Sequence, residues 1–167
     1  MLIFYANHEG GAVVSSCINK YIYITVNSKF YNKIRISYSK TEIVDTVDEL
    51  HHEMTRAALN MAGLTGGIEI TSTADIPAGT GLGLSSTFTV VLINALFTYA
   101  RKVLSPAKMA ERACQIEIEI LGPPIGKQDQ YAAAFGGMNH FAFNRTELQR
   151  VRKSPSTIPT DSECPES

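Results

Sequence analysis

The run Asp75-Ile76-Pro77-Ala78-Gly79-Thr80-Gly81-Leu82-Gly83-Leu84-Ser85-Ser86-Thr87 joins two stretches of different periodicity. Ahead of it, Gly67 to Ser72 alternates, with Ile68 and Ile70 on one side, which predicts a short strand. Beyond it, an apolar stretch predicts a helix from about Ser86 to Tyr99. Between them, glycines at 79, 81 and 83 permit positive φ and let several backbone N–H groups converge. A glycine-rich loop that follows a strand and opens a helix brings those groups to the positive end of the helix dipole, which suits a phosphate. Ser85 and Ser86 at the junction can cap the helix or offer a hydroxyl to a metal riding on the phosphates. No Lys follows a glycine here, so this is not the GxxxxGK[ST] loop. Leu84 stands where the dinucleotide pattern GxGxxG needs its last glycine, which also argues against an NAD-dependent dehydrogenase. The plain alternative is a tight turn with serine as an ordinary N-cap; Pro77 in front and the serine pair behind favour the phosphate loop.

Upstream, Val47, Leu50, Met54, Ala58 and Met61 form one helical stripe, with Thr46 and Glu49 as a capping box and Gly63 as the stop. Ala12 to Ile18, Tyr21 to Val26 and Lys33 to Tyr38 read as strands, with a turn over Asn27 to Asn32. Downstream, Ser105 as N-cap and Pro106 at N1 open another helix with a core stripe of Met109, Ala113, Ile116 and Ile120. Gly122-Pro123-Pro124 ends it. A short helix over Lys127 to Phe135, closed by Gly136-Gly137, and a strand over Met138 to Phe143 follow. From Asn144 to Ser167 apolar periodicity fails, which predicts a disordered tail. Strand clusters mixed with helices, without regular βαβ alternation, predict an α+β layer fold.

The chain has 167 residues, 44% of them hydrophobic, and a net charge of −1, so one domain with a real core is expected and a chain built to wrap nucleic acid is not. Cys17, Cys114 and Cys164 are odd in number and lack a CxxC pair, which fits neither a disulfide framework nor a zinc site. Cys17 and Cys114 are expected to be buried, Tyr21, Tyr23 and Tyr38 to pack in the sheet, and the four histidines to lie on the surface or between helices. Met1 to Tyr5 lacks a basic leader, and Phe88 to Ala100 is shorter than the about 20 residues of a membrane span. The expectation is a cytoplasmic protein with neither nucleic acid nor membrane as partner.

Glu117, Glu119 and Asp129 are carboxylates in an otherwise apolar region. On the residues alone, they are either a solvated helix face with a helix-start Asp or the acidic part of a phosphoryl-transfer site. Such a site needs Mg²⁺, a cradle for the phosphates and a group that orients the attacking hydroxyl.

The pattern Pro77-x-x-x-Gly81-Leu82-Gly83-x-Ser85-Ser86 resembles the nucleotide motif of the galactokinase, homoserine kinase, mevalonate kinase and phosphomevalonate kinase (GHMP) superfamily. Gly10-Gly11-Ala12-Val13, the Tyr21-Ile22-Tyr23 strand, Ile34 to Glu42, and Ile116 to Tyr131 extend the likeness towards the bacterial D-glycero-D-manno-heptose-7-phosphate kinases, from about Glu9 to Phe143. The resemblance implies the N-terminal domain fold of that superfamily (ribosomal protein S5 domain 2-like), a mixed sheet packed on helices, over residues 1–143, with ATP and Mg²⁺ as cofactors. It implies ATP binding at Pro77, Ala78, Gly79, Thr80, Gly81, Leu82, Gly83, Ser85 and Ser86. It further implies Mg²⁺ on Ser85 (or Ser86) and Glu117, and Asp129 as the catalytic base. Glu119 is expected at the surface, and Lys127 either offsets phosphate charge or is solvated. The implied reaction moves the γ-phosphoryl group of ATP to a sugar hydroxyl, the anomeric one of a heptose 7-phosphate.

Three departures accompany the likeness. The family's first strand and its sugar-contacting segment are expected to be missing, Leu84 replaces the usual serine, and the C-terminal domain is expected to be absent. The alternatives implied are an inactive nucleotide-binding remnant, or a module that acts as a homo-oligomer or with a complementing C-terminal chain.

Overall fold

In the computed structural model, residues 11–77, 79–122, 126–143 and 148–153 are described. Period-2 segments build two sheets. In the first, β2 (Ile22–Ser28), β5 (Ile68–Ala74), β3 (Ile34–Ser37) and β4 (Thr41–Val44) lie in the order β2-β5-β3-β4. Strand β5 runs antiparallel to β2 from Ile22↔Ala74 to Ser28↔Ile68, and parallel to β3 with Ile34 opposite Ile68. The sheet is therefore mixed, as expected. Its inward residues Ile34, Ile36, Ile68 and Ile70 are buried against two helices, α1 (Glu53–Ala62) and α2 (Leu84–Tyr99). Alpha-helix α1 supplies Ala58 and Leu59 to this core; α2 supplies Leu92, Ile93 and Leu96. The second sheet holds β1 (Gly11–Ser16), β6 (Met138–Phe143) and β7 (Leu148–Lys153), in the order β1-β6-β7. Helices α3 (Pro106–Cys114) and α4 (Gln128–Phe135) complete the helical layer.

Local punctuation works as the residues dictate at two helix ends. Ser105 caps α3, its side chain accepting from the Lys108 N–H at 3.3 Å, with Pro106 at the first turn. Gly63 ends α1 in the left-handed conformation, φ 77°.

The helix expected from Thr46 to Gly63 is not continuous. Val47–Glu49 form a 3-10 turn, Leu50 is extended and fully buried, and α1 begins only after His52. Thr46 makes no cap bond; its hydroxyl donates instead to Glu49 Oε1 at 2.9 Å. His52 is the cap, its Nδ1 accepting from the Thr55 N–H at 3.3 Å.

Past Cys114 the chain widens into a π turn over Gln115–Ile120, with the Leu121 N–H donating to the Ile116 carbonyl at 3.0 Å. That widening shifts the helical phase. Ala113 and Ile116 stay in the core as the stripe requires, but Ile120 turns outward and Glu117 turns in.

Leu148–Lys153 pairs with β6, so the expectation of disorder is corrected there; backbone pairing needs no apolar periodicity. The remainder of the tail, at 144–147 and 154–167, lies outside the described residues, as do residues 1–10. Cys17 is exposed rather than buried, while Cys114 is buried as expected. Tyr21 and Tyr23 stand more than half exposed, touching each other instead of the core. No helix among the described residues is long and apolar enough to cross a membrane.

Candidate active site

Strand β5 and helix α2 are both anchored in the core, and the loop between them is held at its start by Asp75. Its backbone N–H donates to the Tyr21 carbonyl at 3.0 Å, and its carboxylate accepts from the Tyr21 N–H at 2.9 Å. Gly79, Gly81 and Gly83 take φ values of 86°, 73° and 69°, all left-handed. The alternation predicted from sequence is thus an alternation of backbone conformation that side-chain-bearing residues avoid. Gly83 is the N-cap of α2 and has no side chain to cap it, so the N–H groups of the first turn are left for a ligand.

A cleft of about 400 Å³ opens at this helix end. It brings together Gly79, Gly81, Gly83, Ser85, Ser86, Glu117 and Asp129, residues from three separate parts of the chain. Pro77, Thr80 and Leu82 belong to the loop but not to the cleft wall, and the Leu82 side chain is largely exposed. Ala78 lies outside the described residues. Met54 of α1, which sequence reasoning placed only in the core stripe, also lines the cleft.

The two serines divide. Ser86 is buried and donates to Glu117 Oε2 at 2.8 Å, whereas the Ser85 hydroxyl points to Met54 Sδ at 3.8 Å. Glu117 is 2% exposed, which overturns the solvated-face reading for this residue. Its Oε2 also accepts from Gln130 Nε2 at 2.5 Å. Its Oε1 is buried and has no hydrogen-bond partner among the described residues. A buried carboxylate oxygen without a donor is costly, and a hard cation is the partner that such an atom suits. No group of three or more His, Cys, Asp or Glu able to hold a metal occurs among the described residues. Glu117 and the serine hydroxyls at the loop are oxygen donors of the kind a hard cation such as Mg²⁺ takes.

Asp129 sits in the first turn of α4, exposed to the cleft. Its carboxyl lies beside the backbone of Gly83, 3.6–3.7 Å from where a Cβ on that glycine would stand. Lys127 is exposed and takes no part in the ion pairs Lys33–Asp45, Arg35–Glu69 and Lys108–Glu111. Gln130 is fully buried and was not singled out from the sequence, where nothing sets it apart from Gln128 two residues earlier.

Behind the site, His52 packs between Tyr38 and Phe88, with ring centroids 4.6 and 5.3 Å away. Burial pushes its pKa down, against the pull of Glu42. Tyr38 donates to Glu42 Oε1 at 2.7 Å, which raises the phenol's pKa. Burial works to raise the pKa of Glu42, but the bonds from Tyr38 and the His51 N–H win and hold it low.

The sequence profile of GHMP kinases N terminal domains matches residues 43–137. The chain is 42% identical over 85 residues to the D-glycero-alpha-D-manno-heptose 7-phosphate kinase of Campylobacter jejuni, covering 51% of this chain and 24% of that protein. It is 27% identical over 166 residues to the galactokinase of Pyrococcus furiosus, covering 90% of this chain and 46% of that one. Among solved structures, a D-glycero-D-manno-heptose 1-phosphate kinase from Bacteroides thetaiotaomicron superposes with a TM-score of 0.77 at 28% identity, over 84% of this chain and 50% of that one. The mevalonate kinase of Methanococcus jannaschii, at 16% identity and a TM-score of 0.72, shares the fold over 91% of this chain and 51% of that one. The chain thus spans about half or less of the length of these relatives.

Proposed function

The chain belongs to the GHMP kinase family, and from that premise we propose that it forms the nucleotide- and cation-binding part of a sugar kinase. The reaction moves the γ-phosphoryl group of ATP to a sugar hydroxyl, the anomeric hydroxyl of a heptose 7-phosphate. One observation carries this reading: the left-handed glycine loop, the half-partnered Glu117 and the exposed Asp129 line the same cleft. The likeness to heptose phosphate kinases supports the choice of acceptor.

Loop N–H groups from Gly79 to Ser86 hold the phosphates, with no side chain to compete at Gly83. Glu117, with Ser86 or Ser85, would hold Mg²⁺, which would supply positive charge to the transferred group. Asp129 accepts the proton of the attacking hydroxyl. The sugar oxygen forms a bond to phosphorus as the bond from phosphorus to the bridging oxygen breaks, and ADP leaves.

A thermal melt of the chain alone, with ATP, and with ATP plus Mg²⁺ tests the binding half. Ligand at 100 times its dissociation constant adds about 2.7 kcal/mol, or roughly 5–10 °C for a domain of this size. Mg-ATP raising the midpoint more than ATP supports the reading; a melt indifferent to both rejects it. Transfer of labelled phosphate to heptose 7-phosphate tests the chemistry. Binding without transfer favours a second reading, a module that works with a complementing chain.

A further inference from the structure

Glu117 sits on the π turn and Gln130 on α4, thirteen positions on, and the two side chains meet in the core beside the cleft. Both are buried to within 2% of complete, and Gln130 is followed along its helix by Tyr131 and three alanines. A side chain kept for packing alone would be apolar at such a place, because a buried amide needs every hydrogen bond it can make. Gln130 makes its bond to Glu117 and leaves its own Oε1 without a partner among the described residues. An ionised carboxylate only accepts, so the amide must present its nitrogen to it.

Two donors, Ser86 Oγ and Gln130 Nε2, converge on Glu117 Oε2, and none among the described residues reaches Oε1. Each donor restricts rotation of the carboxylate about its terminal torsion. Together they separate its oxygens into one bound to protein and one left over. Gln130 also follows Asp129 directly, so the residue that grips Glu117 is on the same helical turn as the proposed base.

We propose that Gln130 is the positioning residue of the cation site: its amide pins one oxygen of Glu117 so that the other is reserved for the metal. The proposal rests on the phosphotransfer reading above. By tying the π turn to α4, the same bond sets the spacing between cation ligand and base. Gln130 touches neither substrate nor cation in this role.

The test compares Gln130→Met, which keeps length but removes the donor, with Glu117→Gln and the unaltered chain. Mn²⁺ is titrated into each chain saturated with a non-hydrolysable ATP analogue, and free Mn²⁺ is read by electron paramagnetic resonance. Nucleotide affinity in EDTA is measured alongside with a fluorescent ATP analogue. Gln130→Met is expected to weaken Mn²⁺ by about 10–100-fold, as loss of a residue that orients a metal ligand does, while cation-free nucleotide affinity changes by less than about threefold. Unchanged Mn²⁺ affinity in Gln130→Met, with loss in Glu117→Gln, overturns the proposal and leaves the phosphotransfer reading standing. Equal losses with and without the cation also overturn it, because they mark a general packing role. Should the unaltered chain with nucleotide take up no Mn²⁺, both fall. If Gln130→Met melts without a cooperative transition, Gln130→Asn carries the same expectations, since it keeps the amide but withdraws it by one methylene.

Discussion

The carboxyl of Asp129 lies against the backbone of Gly83, within 3.7 Å of the place a side chain would begin. One residue is the N-cap of α2, which has no side-chain cap bond; the other sits in the first turn of α4 and is the proposed base. The two helix starts thus lie side by side at the cleft.

Gly83→Ala is expected to cost about 1–2 kcal/mol for the left-handed conformation, since φ is 69° there. For a domain of this size that lowers the midpoint by about 2–8 °C in a thermal melt. Space is not the obstacle, because the nearest atom to an added Cβ is at ordinary contact distance. A melt unchanged by the substitution would show that the loop does not need this backbone conformation.

Asp129→Ala should leave Mg-ATP affinity nearly intact and reduce transfer by about 10²–10⁴-fold, the range for a general base. Isothermal titration with a non-hydrolysable analogue and a coupled ADP assay read the two separately. Parallel loss of both would reassign Asp129 to a structural role at the start of α4.

Ser86→Ala removes one of two donors to the buried Glu117 and is expected to cost about 1–3 kcal/mol in denaturant unfolding. Ser85→Ala should fall within about 0.5 kcal/mol, because this exposed hydroxyl meets only the weak acceptor Met54 Sδ. The contrast assigns the serine that supports Glu117. Equal or reversed magnitudes would show that the Ser86–Glu117 bond contributes little to stability.

His52 gives the fold a pH dependence of known sign. Its pKa is lowered in the folded chain, so between its unfolded value near 6.5 and its folded value the unfolded state binds more protons. Stability therefore falls as pH drops through that window, by at most about 1.4 kcal/mol per pH unit. Glu42, also lowered, adds a second loss only below about pH 4.5. His52→Asn retains a capping acceptor for the Thr55 N–H and removes the titration, so urea midpoints between pH 6.5 and 5 should flatten. A variant with the same slope as the unaltered chain would place the acid sensitivity elsewhere.

Much of the backbone was legible in the residues, for a local reason. Glycine at 79, 81 and 83, Gly63 past a helix, and Ser105-Pro106 ahead of one act through the sterics and hydrogen bonds of their immediate neighbours. The stripe from Val47 to Met61 reads as one helix, yet Leu50 enters the core cluster in an extended conformation, which its spacing cannot show. Strand β4 has only four residues, half of them exposed, and exists because β3 offers it an edge. The same holds for β7 against β6.

Residue types and spacings alone point to a glycine-rich loop opening α2, and likeness to a family points to Glu117 and Asp129, which line the same cleft. They could not predict which serine meets Glu117, that Gln130 holds it, or that Ile120 leaves the core. Those outcomes depend on rotational phase, and one π turn shifts the phase of every residue after it. Whether a helix accepts that turn is settled by packing between α1, α2 and α4, whose residues lie far apart along the chain.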